Sequence, residues 1–283
     1  MPSRPFANSH VLFGHARLRW AVALGVLACA LGASPASAAP ILYGAAGGGG
    51  ADSLLTLDPT TGAVTSSIGS IGFSITGLAM DPLSDVLYGV TSRGDAAIPL
   101  LLVSIDTATG AGTLVGSLGP VARVSDIAFT SDGTLYGLSS SGLGTINLST
   151  GLFTSLGGPS VSGGLAVDHN DNLLFAEFAN ILFEIDKTTG AITGQEATGL
   201  GNLRVSALAY DATIQTIFGV ERPLGGSSFL TLSPDGAVIG DTVGLDAIAF
   251  STAVPEPAMI ALLGVGVIGA AVRRMRYRRH QTR

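Results

Sequence analysis

From Ala39 to Ala253, short apolar runs alternate with punctuation by Gly, Asp, Pro and Thr, and no stretch carries a convincing 3.6-residue period. One segment shows the order. Ile75 to Met80 predicts a strand, Asp81 to Asp85 a turn, and Val86 to Thr91 a second strand before a loop around Gly94 and Asp95. Leu101 to Ile105 predicts a third strand, Asp106 to Gly110 a tight turn, and Thr113 to Ser117 a fourth.

That order recurs five times, in three columns that keep step. The first reads Tyr43-Gly44, Tyr88-Gly89, Tyr136-Gly137, Phe175-Ala176 and Phe218-Gly219. The second reads Asp58 to Gly62, Asp106 to Gly110, Asn147 to Gly151 and Asp186 to Gly190, with a shortened Ser233 to Gly236. The third places Ala79, Ala128, Ala166, Ala209 and Ala249 between larger apolar residues. Four short strands per unit, at roughly 40 to 45 residues per repeat, predict an all-β fold, a β-propeller of five four-stranded blades. The domain opens on the second strand of a unit (Ile41 to Ala45) and ends on a first strand (Leu245 to Phe250). The last strand is therefore expected to complete the first blade and close the ring, which removes exposed sheet edges.

The Asp-x-x-Thr-Gly element predicts a hairpin turn. Its carboxylate accepts backbone N–H groups two or three residues on, and its Gly takes the positive-φ position. The alanine column is expected to face the crowded axis, with Leu78 and Met80 packing between blades. The string Asp168 to Asn172 superficially suggests a calcium loop. It lacks the following Gly and distant Glu, and it occupies the turn position of Asp81 to Asp85, so it too is expected to be a hairpin turn.

Both flanks read as targeting segments. Arg4, Arg17 and Arg19 precede an apolar run from Trp20 to Gly32 and then Ala36-Ser37-Ala38. This predicts a signal helix over residues 1–38, with signal-peptidase cleavage after Ala38 or the adjacent Ala39. Val26 to Cys29 loosely resembles a lipobox, but Leu27 is bulky for its place and the small-residue site downstream fits better. Cleavage there removes Cys29 and leaves a mature chain without cysteine, so stability must come from the core alone.

At the other end, Pro255-Glu256-Pro257 precedes an apolar run from Ala258 to Val272, followed by Arg273, Arg274, Arg276, Arg278 and Arg279. As a helix that run measures about 22 Å against a hydrocarbon core of about 30 Å, which suits a transient inner-membrane tether. The arginines form a cytoplasmic stop, so everything before them lies outside. Residues 254–283 closely resemble the PEP-CTERM sorting signal of Gram-negative bacteria. The resemblance implies that an exosortase-like membrane enzyme recognises Pro255, Glu256 and Pro257, removes the helix and basic tail, and passes the protein to the envelope or extracellular matrix.

Charge and composition then narrow the chemistry. Residues 39 to 254 hold five basic groups against nineteen acidic ones, a net charge of −14 where the whole chain carries −6. Such a surface repels nucleic acid, so a nucleic-acid partner is excluded. One histidine, His169, and no cysteine cannot supply the usual zinc ligands or a thiol nucleophile. No Gly-x-Ser-x-Gly elbow occurs, and Gly47 to Gly50 lacks the Lys-Ser/Thr of a phosphate loop. At the start of the innermost strands, Asp126 and Asp246 interrupt an otherwise small, neutral ring and are the candidate contacts for a ligand or cation at the channel mouth. No cofactor is expected, calcium being the one that the composition leaves open. Two carboxylates alone fall short of the six to eight oxygens that calcium takes.

The repeats resemble secreted bacterial propellers with Leu-Tyr-Gly and Asp-x-x-Thr-Gly units, including the YVTN-like and quinoprotein-like groups. The expectation is a non-enzymatic exported propeller with a binding or structural role, its partners surface polysaccharide or matrix protein. The alternatives are a calcium-dependent propeller hydrolase of lactonase or phytase type and, less favoured for want of Cys and a second His, a redox quinoprotein.

Overall fold

Twenty strands form five antiparallel sheets in the computed structural model, which describes residues 39–252 apart from 48–49, 92–99, 122, 161, 222–226, 234–235 and 243. Blade 1 joins β1 (Leu42–Ala46), β2 (Ser53–Leu57) and β3 (Val64–Ser70) to the last strand, β20 (Leu245–Phe250). Blade 2 is β4 (Ile75–Met80), β5 (Leu87–Thr91), β6 (Leu101–Ile105) and β7 (Gly112–Ser117). Blade 3 is β8 (Val124–Phe129), β9 (Leu135–Ser139), β10 (Gly142–Ile146) and β11 (Phe153–Gly157). Blade 4 is β12 (Gly164–Val167), β13 (Leu173–Ala176), β14 (Ile181–Ile185) and β15 (Ile192–Ala197). Blade 5 is β16 (Val205–Asp211), β17 (Thr216–Glu221), β18 (Ser227–Ser233) and β19 (Ala237–Thr242).

The innermost strands β20, β4, β8, β12 and β16 neighbour one another in a closed cycle around the axis. Closure is as expected. β20 pairs with β1 through Phe250↔Leu42, Ala249↔Tyr43, Ile248↔Gly44 and Ala247↔Ala45. The predicted signal helix and C-terminal hydrophobic helix lie outside the described residues, and among those described no helix is long and apolar enough to cross a membrane.

The core is five clusters, one per junction between blades. Leu78, Ile75, Leu87 and Val103 of blade 2 pack against Tyr43, Leu54, Ala247 and Ala249 of blade 1, with Met80 partly buried beside them. The alanine column refines the sequence expectation: its residues line the axial channel, and their methyl groups pack toward the following blade. Ala79 packs with Val124 and Ile127 of blade 3, and Ala166 with Val205 and Leu208 of blade 5. Pleating puts Leu78 and Ala79 on opposite faces of one sheet, so both point between blades. The small size follows from the cross-strand partner. Ala79 lies opposite Tyr88, Ala128 opposite Tyr136, Ala209 opposite Phe218 and Ala249 opposite Tyr43. A ring on that face leaves room beside it only for a methyl group.

The same register corrects one column. In blade 4, Leu165 pairs with Phe175 and Ala166 with Leu174. Leu174 therefore stands where the other blades have Tyr or Phe, and Phe175 stands where they have Gly, one residue earlier than Phe175-Ala176. Aligning the repeats by aromatic identity slips the strand by one residue, which exchanges its faces.

The turns behave as expected. Asp106 Oδ1 accepts the N–H groups of Ala108 (2.8 Å) and Thr109 (2.9 Å), and Gly110 closes the turn at φ +81°. Asp186 does the same with Thr188 and Thr189, and Asn147 with Ser149 and Thr150. These turns also press on the preceding blade. A Cβ on Gly110 would lie 2.7 Å from the Gly69 carbonyl oxygen, and one on Gly116 would lie 2.0 Å from that of Thr150. Glycine on the fourth strand thus admits the next blade's Thr-Gly turn, backbone against backbone, as an outer clasp.

The axial channel and its two mouths

The channel begins where four of the inner strands are bulged. The pairing skips Thr76 in β4, Ser125 in β8, Ser206 in β16 and Asp246 in β20. A bulge leaves ladder groups unpaired. The hydroxyls answer this locally: Ser125 Oγ donates to the Leu138 carbonyl (3.1 Å) and Ser206 Oγ to that of Val220 (3.2 Å). Thr76 Oγ1 donates to the Val124 carbonyl of the next blade (3.2 Å), and Ser125 Oγ also accepts the Gly163 N–H (3.3 Å). This is why Ser and Thr recur one residue before the small ring.

Asp126 lies inside that ring with no exposed surface. Its Oδ2 accepts the backbone N–H groups of Leu165 (2.8 Å, blade 4) and Leu208 (3.0 Å, blade 5), and its Oδ1 that of Ile127 (3.0 Å). One carboxylate thereby ties three blades at the axis. Its neighbours in the ring are small because it fills the space; a Cβ on Gly77 would sit 2.8 Å from Asp126 Oδ1. Burial pushes the carboxyl well above the usual range, and the three amide bonds oppose that shift. Asp126, singled out as a mouth contact, is thus placed below the mouth, with its oxygens committed to backbone. Three N–H dipoles aim their positive ends at it, so this arrangement does not fit calcium, which requires converging oxygens. Asp246 sits one position nearer the opening and is also buried. Among the described residues, no three His, Cys, Asp or Glu side chains gather as metal ligands would.

The mouth at the start of the inner strands holds a cavity of about 130 Å³ lined by Arg123, Arg204, Glu177 and serines 125, 162 and 206. Arg204 pairs with Glu177 (3.4 Å) and lies over the Phe178 ring, 5.4 Å from its centroid. The opposite mouth, about 110 Å³, is rimmed by Met80, Phe129, Val167, Tyr210 and Phe250, one from the end of each inner strand. Asp168 to Asn172 is the hairpin turn expected. Asp168 Oδ1 accepts the N–H groups of Asn170 and Asn172, and Asp171 takes φ +66°. Asp171 additionally accepts the Ser131 N–H of blade 3 and pairs with Lys187 at 2.9 Å. Pro255, Glu256, Pro257 and the arginines at 273, 274, 276, 278 and 279 lie outside the described residues.

Sequence reasoning missed one contact: His169 Nδ1 and Tyr210 Oη lie 2.9 Å apart, with their rings stacked across the junction of blades 4 and 5. The two are forty-one positions apart in different repeats, and only the blade packing brings them together.

Fold and site together define a closed five-bladed β-propeller whose channel is spanned by a structural carboxylate. Residues 253–278 match the PEP-CTERM protein-sorting motif, which implies export to the envelope or exterior and handling by an exosortase-type enzyme. A chain from the crystal structure of a nidogen/laminin complex shares the fold, with TM-score 0.53 and 13% identity over 77% of this chain and 100% of that one. More distant are a chain from a study of the de novo evolutionary emergence of a symmetrical protein (TM-score 0.49, 16% identity, 77% and 100% covered) and a Bacteroides caccae protein of unknown function (0.46, 12%, 76% and 100%). No curated protein matches the chain.

Proposed function

We propose that this is an exported, non-catalytic propeller that binds or scaffolds at the cell surface or in the extracellular matrix, after an exosortase-like enzyme frees it from a transient inner-membrane tether. One observation supports the reading: along the sequence, the expected cleavage points come before the first strand and after the last. Cleavage after Ala38 spares β1, which begins at Leu42, and cleavage at Pro255 to Pro257 spares β20, which ends at Phe250. The tail can therefore be removed without opening a sheet edge, as a delivery label must be. Its partners would be surface polysaccharide or matrix protein.

Intact-mass measurement on protein from its native cells tests this. The expected species starts near Ala39 and ends near Pro255. Glu256→Ala should hold the basic tail on the chain and the protein in the membrane fraction. Wild-type protein retaining its arginine tail there would overturn the sorting reading.

A further inference from the structure

The five blade junctions are not equivalent, and the departures from the repeat collect at one of them, between blades 4 and 5. Leu174 replaces the aromatic residue of the other blades, as the strand register shows. Glu184 stands where the third strands of the sister blades carry Thr56, Ser104, Thr145 and Thr231. On the fourth strand, blades 1, 2, 3 and 5 carry an apolar residue followed by Gly (Ile68-Gly69, Val115-Gly116, Leu156-Gly157, Ile239-Gly240), and blade 4 carries Gln195-Glu196. The turn that would receive that glycine is the shortened Ser233 to Gly236.

Both halves of the outer clasp therefore differ in sequence at this junction. One bond that other junctions carry is kept: Gly236 N–H donates to the Thr198 carbonyl (3.1 Å), as Gly112 N–H does to Ile71 (3.0 Å) and Phe153 N–H to Leu118 (3.1 Å). A Cβ on Gly194, which pairs with Glu184 as Thr113 pairs with Ser104 in blade 2, would meet only the Glu184 side chain, whose Oε2 lies 3.2 Å away. The junction holds a cleft of about 410 Å³, against about 130 and 110 Å³ at the channel mouths.

Its lining has a consistent chemistry. Leu174, Leu182 and Ile217 form an apolar floor, and the Tyr210 ring, held by His169, forms a wall. Glu184, Gln195, Glu196 and Gln215 line it from exposed positions, together with Asp168. Carboxylates accept hydrogen bonds, while glutamine amides both donate and accept. A cation would need only the acceptors and would leave the amide donors unused. An anion would meet three carboxylates. Hydroxyl pairs on a neutral sugar use donors and acceptors together, and the C–H face of the ring suits Tyr210 and the apolar floor.

We propose that this cleft binds a neutral hexose-based polysaccharide, one or two sugar rings at a time. The proposal rests on the reading of the protein as a binding propeller and names the ligand class of that role.

Calorimetric titration of the processed protein from native cells with maltohexaose, cellohexaose and fully N-acetylated chitohexaose tests it, with polygalacturonate and an oligo-arginine peptide alongside. At least one neutral oligosaccharide should bind, and polygalacturonate should bind more weakly. Gln195→Val with Glu196→Gly, which restores the residue types of the sister blades, should weaken binding at least tenfold with the melting temperature held or raised. Glu184→Gln, which keeps the side chain's size, should weaken it by a similar factor. Failure of all three oligosaccharides to bind, or binding of oligo-arginine instead, would overturn the proposal. Equal affinity in both variants would also overturn it, while leaving the binding-propeller reading in place with its site elsewhere. Neither result bears on the sorting reading, which the mass measurement decides.

Discussion

At the scale of single residues, Asp126 is a fully buried carboxyl held by three backbone amides, and its consequences can be measured as a function of pH. Burial raises its folded pKa above the value in the unfolded chain, against the pull of three amide donors. Its favourable contribution is then fully present below the unfolded pKa and is lost as pH rises through the raised folded one. Asp126→Asn keeps an oxygen for Leu165 and Leu208 and drops the charge. Thermal melts from pH 4 to pH 8 should therefore show wild type losing stability relative to this variant as pH rises; a constant gap would contradict the assignment. Asp126→Ala strands amides at the axis and should cost about 2 to 5 kcal/mol. The turn aspartates run the other way. Hydrogen bonds from the side chains and then the backbone of Thr188 and Thr189 hold Asp186 down to about 2, so its contribution persists at neutral pH and fades only as pH falls toward that value. That Asp106 and Asp186 build turns was legible in the sequence, because a turn is decided within five residues. The role of Asp126 was not, because its donors come from blades 4 and 5, thirty-nine and eighty-two positions away.

At the scale of elements, the turn and the fourth strand act as a pair across blades. Gly110 is constrained twice, by φ +81° and by the Gly69 carbonyl 2.7 Å from where a Cβ would sit. Gly110→Ala should therefore destabilise by more than about 2 kcal/mol, since it combines a left-handed backbone with a backbone clash. Gly201→Ala, with open space around it, should shift the melting temperature little. Equal effects at the two positions in denaturant melts would contradict the clasp. The alanine column makes the complementary point about legibility. Its recurrence was visible, but its reason is the ring on the neighbouring strand, and a periodic small residue does not say which neighbour makes it small.

At the scale of the whole molecule, stability depends on joining the two ends of the domain. β20 supplies the inner strand of blade 1 and belongs to the cores on both sides of that blade, through Ala247 and Ala249 on one face and Leu245 and Ile248 on the other. A chain ending at Thr242 leaves β1 as an unpaired edge and opens two of the five cores. It should lose its cooperative thermal transition and associate, whereas the processed chain ending near Pro255 should melt as one unit. Circular dichroism and sedimentation of the two forms check this; a cooperative, monomeric truncated chain would contradict closure as the source of stability.

The sequence by itself determined the period, the number of blades, the phase that closes the ring, the hairpin turns and the sorting tail. Each is written in residues close together or in a pattern repeated often enough to survive local variation. Only the tertiary structure decided what lies between blades: the direction the alanines face, the one-residue slip in blade 4, the occupation of the axis by Asp126, and the cleft where blades 4 and 5 part. Those features depend on which faces of different repeats are brought into contact, and that is settled by strand register and the packing of side chains rather than by any local run of residues.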